Sequence, residues 1–315
     1  MKVLVLYTLP PPGMGERAAE FDISEAAYGV ADVLGVAPVG VLGALEEVLA
    51  VLDAHRPDVV FNLLEAPLGR PDLDGSLAAL LEWRGTPFTG NGSATLALCR
   101  RKDHTHAVLS AAGVPVPRSG LDAGFPCFVK PAGEDGSAGI DKASICHDAP
   151  ARDGAVARIA AAGLGAAVIE AWLPGRELNV ALWGAGPARG TQAAVGEITF
   201  GPGVEVLTWA SKWAPESAEY QCSPSVYPAE IAADLRAAAI ATARAAARAV
   251  GARGYLRVDL RLDAHGQPRV IDVNPNPDVT PGAGLSRGVA SAGWSWEQFV
   301  HAQVAGARAT QELEW

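Results

Sequence analysis

Residues 254–282 read GYLRVDLRLDAHGQPRVIDVNPNPDVTPG. Leu256, Val258, Leu260 and Leu262 alternate with polar neighbours, the period-two pattern of a strand with one face in a core. Ala264-His265-Gly266 is a turn signal and Gln267 to Val273 returns as a second strand, so the stretch predicts a hairpin. In that hairpin Asp259 faces Asp272 across the strands, and Asn274 follows two residues on, on the same side as Asp272. Two carboxylates and an amide oxygen converging beside Arg257 form a cradle for hard cations, which take oxygen ligands. Asp259, Asp272 and Asn274 are therefore the expected magnesium ligands. Exposed hairpins also carry Asp and Asn simply to meet solvent. Here, however, the polar residues share one face and run into a Pro-rich segment that cannot continue the ladder.

Composition narrows the setting. With 315 residues, 49% hydrophobic and 19% charged, the chain can bury a large core and suggests two or three domains. A net charge of -10 argues against nucleic acid as a partner, because no basic field is available to displace counterions from phosphates. Cys99, Cys127, Cys146 and Cys222 show neither CxxC nor zinc spacing and are expected as free thiols in a reducing cytosol. The N-terminal MKVLVLY has no signal-peptide layout, and no apolar run is long enough to span a bilayer, so a cytoplasmic protein without membrane partners is expected. Only five of the 25 basic residues are lysines (Lys2, Lys102, Lys130, Lys142 and Lys212). Where arginine is the default cation, a compact ammonium able to point at a phosphate stands out.

Taken in order, residues 1–92 read as a small α/β unit. Lys2 to Tyr7 and Pro57 to Leu64 have the pattern of buried strands, and Asp22 to Leu34 and Asp72 to Trp83 that of helices. The Pro/Gly loop after the first strand lacks GxGxxG, so a dinucleotide fingerprint is unsupported. A second unit, 93–173, opens with a helix capped by Ser93 and running through Lys102 to Ala112. Phe125 to Pro131 is then a short strand carrying Lys130, followed at once by AGEDGSAGI. Small residues after a strand that ends in lysine let backbone N–H groups approach phosphate oxygens, although glycine-rich turns are common on their own. A third unit, 174–315, holds strands from Glu177 to Leu182, the loop EVLTWASKWAPESAEY over 205–220, an Ala/Arg helix over 228–250 with Pro228 at its start and arginines toward water, the hairpin, and a terminal helical pair. Trp294 and Trp296 are read as packing anchors.

RVDLRLD followed by IDVNPNP resembles the signature hairpin of ATP-grasp enzymes, within them the D-alanine–D-alanine ligase-like branch. VFNLLE and GTPFTGNG are similar to that branch's first-substrate region, and the three lysines stand at its nucleotide-contacting positions. The resemblance implies an α/β (α+β) ATP-grasp fold: an N-terminal Rossmann-like domain, then two ATP-grasp subdomains sandwiching ATP. It implies ATP with two magnesium ions, for which manganese is a substitute, and small-molecule carboxylate and amine substrates. A homodimer is left open.

Residue by residue, the resemblance places Lys102 and Lys130 near the α- and β-phosphates and Lys212 near the γ-phosphate. Gly136 and Ser137 lie in the phosphate loop, where Gly136 replaces a Ser. Ala171, Trp172 and Leu173 meet the adenine edge, Glu170 its amino group, and Glu177 the ribose. Arg257 would stabilise the tetrahedral oxyanion, with Lys212 as its catalytic companion. Asp22 stands where relatives carry a Glu for the substrate amine, Glu65 where many have His, and Trp213 where the lid has Tyr. Where the pattern continues from Asn through Pro-Gly to Ser, this chain has Pro277-Asp278 and then Ala283, which points to an acceptor other than D-alanine, with Asp278 meeting a cationic or amine group. The activity implied is acid–amine ligation through an acylphosphate. A kinase without the joining step, or a nucleotide-binding module without turnover, are the alternatives.

Overall fold

The computed structural model describes residues 1–13, 22–184, 190–214 and 216–308. Three sheets organise them, each built where the sequence alternates or runs apolar.

The first sheet is parallel, with β1 (Val3–Thr8) between β2 (Val39–Val41) and β3 (Val59–Leu63). All five β3 residues are buried, as a strand covered on both faces requires. Helices α1 (Ser24–Leu34), α2 (Leu45–His55) and α3 (Asp74–Trp83) provide that cover together with later elements. The sequence reading omits β2 and α2.

The expected single helix over 93–112 is two: α4 (Ser93–Cys99) and α5 (Lys102–Ala111). Arg101 is extended between them, and the Lys102 N–H bonds the carbonyl of Ala132 at 2.8 Å instead of a helical acceptor. That detour sets Lys102 at the start of α5, beside the glycine-rich loop. Gly92, not Ser93, occupies the N-cap; the Ser93 N–H donates to Glu82.

The second sheet has order β5-β4-β6, from β4 (Cys127–Pro131), β5 (Ile145–Cys146) and β6 (Ala167–Ala171), with α6 (Ala149–Ala161) packed on it. The third is antiparallel, order β11-β10-β7-β8-β9. It contains β7 (Glu177–Gly184), β8 (Thr191–Ile198), β9 (Ser225–Val226), β10 (Tyr255–Leu262) and β11 (Pro268–Asn274). The 205–220 loop carries two four-residue helices, α7 (Ala210–Trp213) and α8 (Ala218–Gln221), and leaves Trp209 exposed.

Under the third sheet lies α9 (Ala233–Ala249), which starts later than expected. Pro228 is no helix start: the chain is pinned to β8 by the Ala229 N–H on Val195 and is still non-helical at Ala232 (ψ 151°), the N-cap. The stripe Ala239, Ala243, Ala246 and Ala247 packs against Val180, Leu256, Val258 and Leu260, small side chains allowing close approach. Two of its arginines do not simply face water: Arg236 and Arg244 are half-buried and donate to the carbonyls of Ala229 and Thr191. The opposite face meets α10 (Gly284–Ser291) and α11 (Trp296–Arg308), with Tyr255, Phe299 and Val300 in a core shared with α1, β1 and β3. Trp294 meets Trp183 edge-on and Trp296 stacks on Phe299, as packing anchors should.

Candidate active site

Because β10 alternates, Leu256, Val258 and Leu260 go to the α9 core and Tyr255, Arg257, Asp259 and Arg261 share the other face. Asp259 pairs in register with Asp272 on β11 and Asn179 on β7; Arg257 pairs with Asn274. The predicted opposition of the two carboxylates is therefore a property of the ladder. Arg257 clasps Asp259 through Nε (2.7 Å) and Nη2 (2.9 Å), and Asn179 Nδ2 donates to Asp259 Oδ1 at 2.7 Å. A carboxylate offers about four acceptor positions, so three bonds leave Asp259 one lone pair for a cation. The Oδ1 of Asn274 accepts from the Asn276 N–H at 2.9 Å. Among the described residues no cluster of three His, Cys, Asp or Glu side chains could hold a metal. The candidate donor set is two carboxylates and an amide, all hard oxygens, which suits magnesium.

Cations surround this pair. Lys102 Nζ lies 3.5 Å from Asp272 and 3.0 Å from Asp135 of the glycine-rich loop, whose other oxygen pairs with Arg100 at 2.5 Å. Lys130 Nζ is 2.8 Å from Glu170 and donates to the Ile271 carbonyl at 2.8 Å, while His106 Nδ1 lies 3.4 Å from Glu170. Burial pushes the Asp272 carboxyl up, but Lys102, Lys130, Arg257 and Lys212 together hold it below its ordinary value. Burial, then the repulsion of Arg257, pulls the Lys212 ammonium down against Asp259, Asp272 and Glu177. The helix break, β4, the 205–220 loop and the hairpin thus each deliver one cation. In the glycine-rich loop Gly136 and Ser137 have φ of 64° and 63°, consecutive left-handed residues that turn the chain so that the Ala138 N–H bonds the Asp135 carbonyl at 3.2 Å.

Farther along the same face, Arg261 pairs with Glu177 at 3.2 Å, donates to the Glu205 carbonyl and stacks 4.1 Å over the Trp172 ring. Burial raises the Glu177 carboxyl and Arg261 opposes it. Glu170 responds oppositely: burial raises it, yet Lys130 and His106 leave it below its ordinary value. The Ala171 and Trp172 N–H groups already bond the carbonyls of Arg118 and Pro126, so a base edge must be met elsewhere in 171–173, with Leu173 the remaining amide of the three.

The substrate-binding candidates split. Asp22 accepts from the Ser24 N–H at the start of α1 and acts on Tyr7 at the end of β1. Glu65 sits on the loop after β3, its N–H bonded to Thr8 Oγ1 at 3.0 Å, and accepts from Asn276 Nδ2 at 2.9 Å. Burial, with Asp74, Asp278 and Asp135, pushes its carboxyl up to about 8. Asp278 is exposed and accepts from the Thr280 N–H. The Trp213 side chain lies outside the described residues. Sequence reasoning did not find Arg261, Asn179, His106, Asp135 or Asn276. Arg261 was within reach, two residues beyond Asp259 on an alternating strand, as was Asn276, two residues beyond Asn274; Asp135 lies in the glycine-rich loop, and Asn179 and His106 arrive from separate elements.

Residues 118–305 match the family described as D-ala D-ala ligase C-terminus. A D-alanine–D-alanine ligase of Anaeromyxobacter dehalogenans (strain 2CP-C) is 31% identical over 264 residues, covering 79% of this chain and 80% of the relative. One from Gluconobacter oxydans is 29% identical over 297 residues, covering 90% and 92%. The fold is that of the Bacillus anthracis D-alanine–D-alanine ligase complexed with ATP (TM-score 0.72, 19% identity, 98% and 97% coverage). It is also that of the Enterococcus faecalis VanG D-Ala:D-Ser ligase (TM-score 0.71, 21% identity, 97% and 99%). No helix among the described residues is long and apolar enough to cross a membrane. On the matched family and the shared ATP-grasp fold, the chain belongs to the D-alanine–D-alanine ligase-like family of ATP-grasp enzymes and is an ATP-dependent ligase.

Proposed function

We propose that this chain joins a small-molecule carboxylate to an amine through an acylphosphate, with the γ-phosphate of ATP taken up by the acid before the amine attacks. The observation that carries the reading is the gathering of cations at the hairpin: Lys102 lies 3.5 Å from Asp272, Lys130 bonds the Ile271 carbonyl, Arg257 clasps Asp259, and Lys212 interacts with both carboxylates. Bringing a triphosphate and a second anion together demands fixed, partly desolvated positive charge, and four cations facing two carboxylates supply it.

Asp259, Asp272 and Asn274 would hold two magnesium ions, which when bound neutralise and polarise phosphate oxygens. Lys102 and Lys130 orient the phosphates, with the Gly136–Ser137 backbone on their other side. Glu170, residues 171–173 and Glu177 hold the adenosine. Lys212, on the 205–220 segment with Trp213, meets the transferring phosphoryl group and keeps water out. Arg257 is already oriented by its clasp on Asp259, and its Nη1 lies near Gly284 at the start of α10, 4.0 Å from where a Cβ on that residue would stand. From there it stabilises the oxyanion formed as the amine attacks, a role whose loss costs about 3 to 4 kcal/mol. Asp22 and Glu65 line the substrate end. We propose 1–92, 93–173 and 174–315 as its units; each contains one of the three sheets.

The relatives are named for D-alanine, but the exposed carboxylate of Asp278 and the methyl of Ala283 make a different acceptor surface here. The acceptor we propose is therefore not D-alanine. Paired acids and amines are screened by phosphate release and product mass. Release only when both are present, with an amide of the summed mass, is the expected result; a stable phosphorylated acid would instead make the chain a kinase.

A further inference from the structure

The break that starts α5 at Lys102 also places His106, about one turn further on and on the same helix face. Lys102 reaches the hairpin and His106 reaches β6: its Nδ1 lies 3.4 Å from Glu170 Oε1, while Lys130 Nζ holds the other oxygen at 2.8 Å. Both side chains are nearly enclosed, 12% exposed for His106 and 6% for Glu170. Burial raises the Glu170 carboxyl, and Lys130 with His106 more than reverses that, so it is ionised at neutral pH. An ionised carboxylate only accepts hydrogen bonds; the imidazole proton therefore sits on Nδ1 and is donated to Oε1. No step of the proposed ligation uses His106.

Imidazole and carboxylate are not sealed off. A cavity between α5 and β11 is lined by both, together with Lys102, Leu109 and Asp272, so it joins this pair to the residues of the phosphate end. A carboxylate offers about four acceptor positions; Lys130 and His106 take one on each oxygen and leave one on each. The terminal torsion of a glutamate is broad, and with Lys130 alone the carboxylate would turn about its Oε2 contact. A second donor, on a different element, removes that rotation and fixes where the remaining lone pairs point. Lone pairs so fixed welcome an N–H and repel a carbonyl oxygen. Resting on the ligase reading above, in which Glu170 faces the amino group of the base, we infer that His106 is a positioning residue for base selection: with Lys130 it holds the Glu170 carboxylate so that the site takes purines with a 6-amino group and rejects those with a 6-oxo group.

Calorimetry of the full chain with saturating magnesium tests this, using the β,γ-methylene analogues of ATP and of inosine triphosphate as probes. The adenine form should bind at least about tenfold more tightly, because the inosine form leaves a buried acceptor facing an oxygen. His106→Leu should shrink that ratio to about threefold or less, whereas His106→Asn, whose amide N–H stands where Nδ1 does, should keep most of it. A histidine with a structural role only would weaken both nucleotides alike and leave the ratio unmoved. No preference in the parent protein, a ratio unchanged by His106→Leu, or one that falls as far in His106→Asn overturns the inference. Should the leucine variant not fold, His106→Gln, which keeps a polar group at the Nε2 position and none at Nδ1, takes its place in the same comparison. If neither nucleotide binds the parent protein, the ligase reading falls instead, so the two failures are told apart.

Discussion

Replacing Lys130 with Met tests the electrostatics that the site depends on. Lys130 and Glu170 are each 5% exposed and 2.8 Å apart, so removing the ammonium leaves a carboxylate in the interior. In the native protein Glu170 is held below its ordinary 4.5, burial raising it and Lys130 with His106 lowering it further. That group adds stability above pH 4.5 and loses it as pH falls. Without Lys130 the burial effect is opposed only by His106 and the folded protein takes up a proton, at a cost that grows with pH. Protonating a carboxyl of ordinary value costs about 3.4 kcal/mol at pH 7 and about 0.7 kcal/mol at pH 5. The lost bond to the Ile271 carbonyl adds about 1 kcal/mol at both, while Met fills the volume of the stem. The variant should therefore lose about 4 kcal/mol at pH 7 and about 2 kcal/mol at pH 5. Native-state hydrogen exchange of peptides covering β4 and β6 reads that loss locally. Equal losses at the two pH values, or less than about 1 kcal/mol at pH 7, would refute the argument. Adding Glu170→Gln should recover part of the loss.

Asp272→Asn removes a hard ligand and the anion around which the cations gather; magnesium-dependent nucleotide affinity should fall at least about tenfold in calorimetry, and an unchanged value would remove the hairpin from the metal site. Glu177→Gln leaves Arg261 without its carboxylate partner, and we expect weaker nucleotide binding by about 1 to 3 kcal/mol; discrimination between ATP and its 2′-deoxy analogue, measured in the same titration, should shrink. Gly254→Ala should cost more than about 2 kcal/mol of stability and lower the thermal midpoint with it, because φ there is +71° and a Cβ would sit 2.9 Å from the Gly90 Cα; a midpoint within a degree of the parent would contradict that close approach.

Much of this molecule is local and hence legible in the chain. The hairpin's opposed Asp259 and Asp272, the separation of its apolar and polar faces, and the lysine that ends β4 before a glycine-rich loop all follow from alternation and turn chemistry over a few residues. The resemblance carried by those motifs gave the superfamily as well. Long-range contacts were not legible. The break between α4 and α5 is made by a carbonyl thirty residues away, that of Ala132, and without it Lys102 would not begin a helix beside Asp135. Pro228 is a helix start by local rule, but the segment after it is held against β8 by the bond from Ala229 to Val195 and turns helical only after Ala232. Period-two alternation assigned Asp259, Asp272 and Asn274 to one surface; only the packing of three sheets decided that Lys102, Lys130 and Lys212 face it. The same packing brought Asn276 to within 2.9 Å of Glu65, across from the first sheet. The physical reason is one of range: a strand fixes its own faces through backbone geometry, whereas the charge that a face encounters depends on which distant segments fold over it.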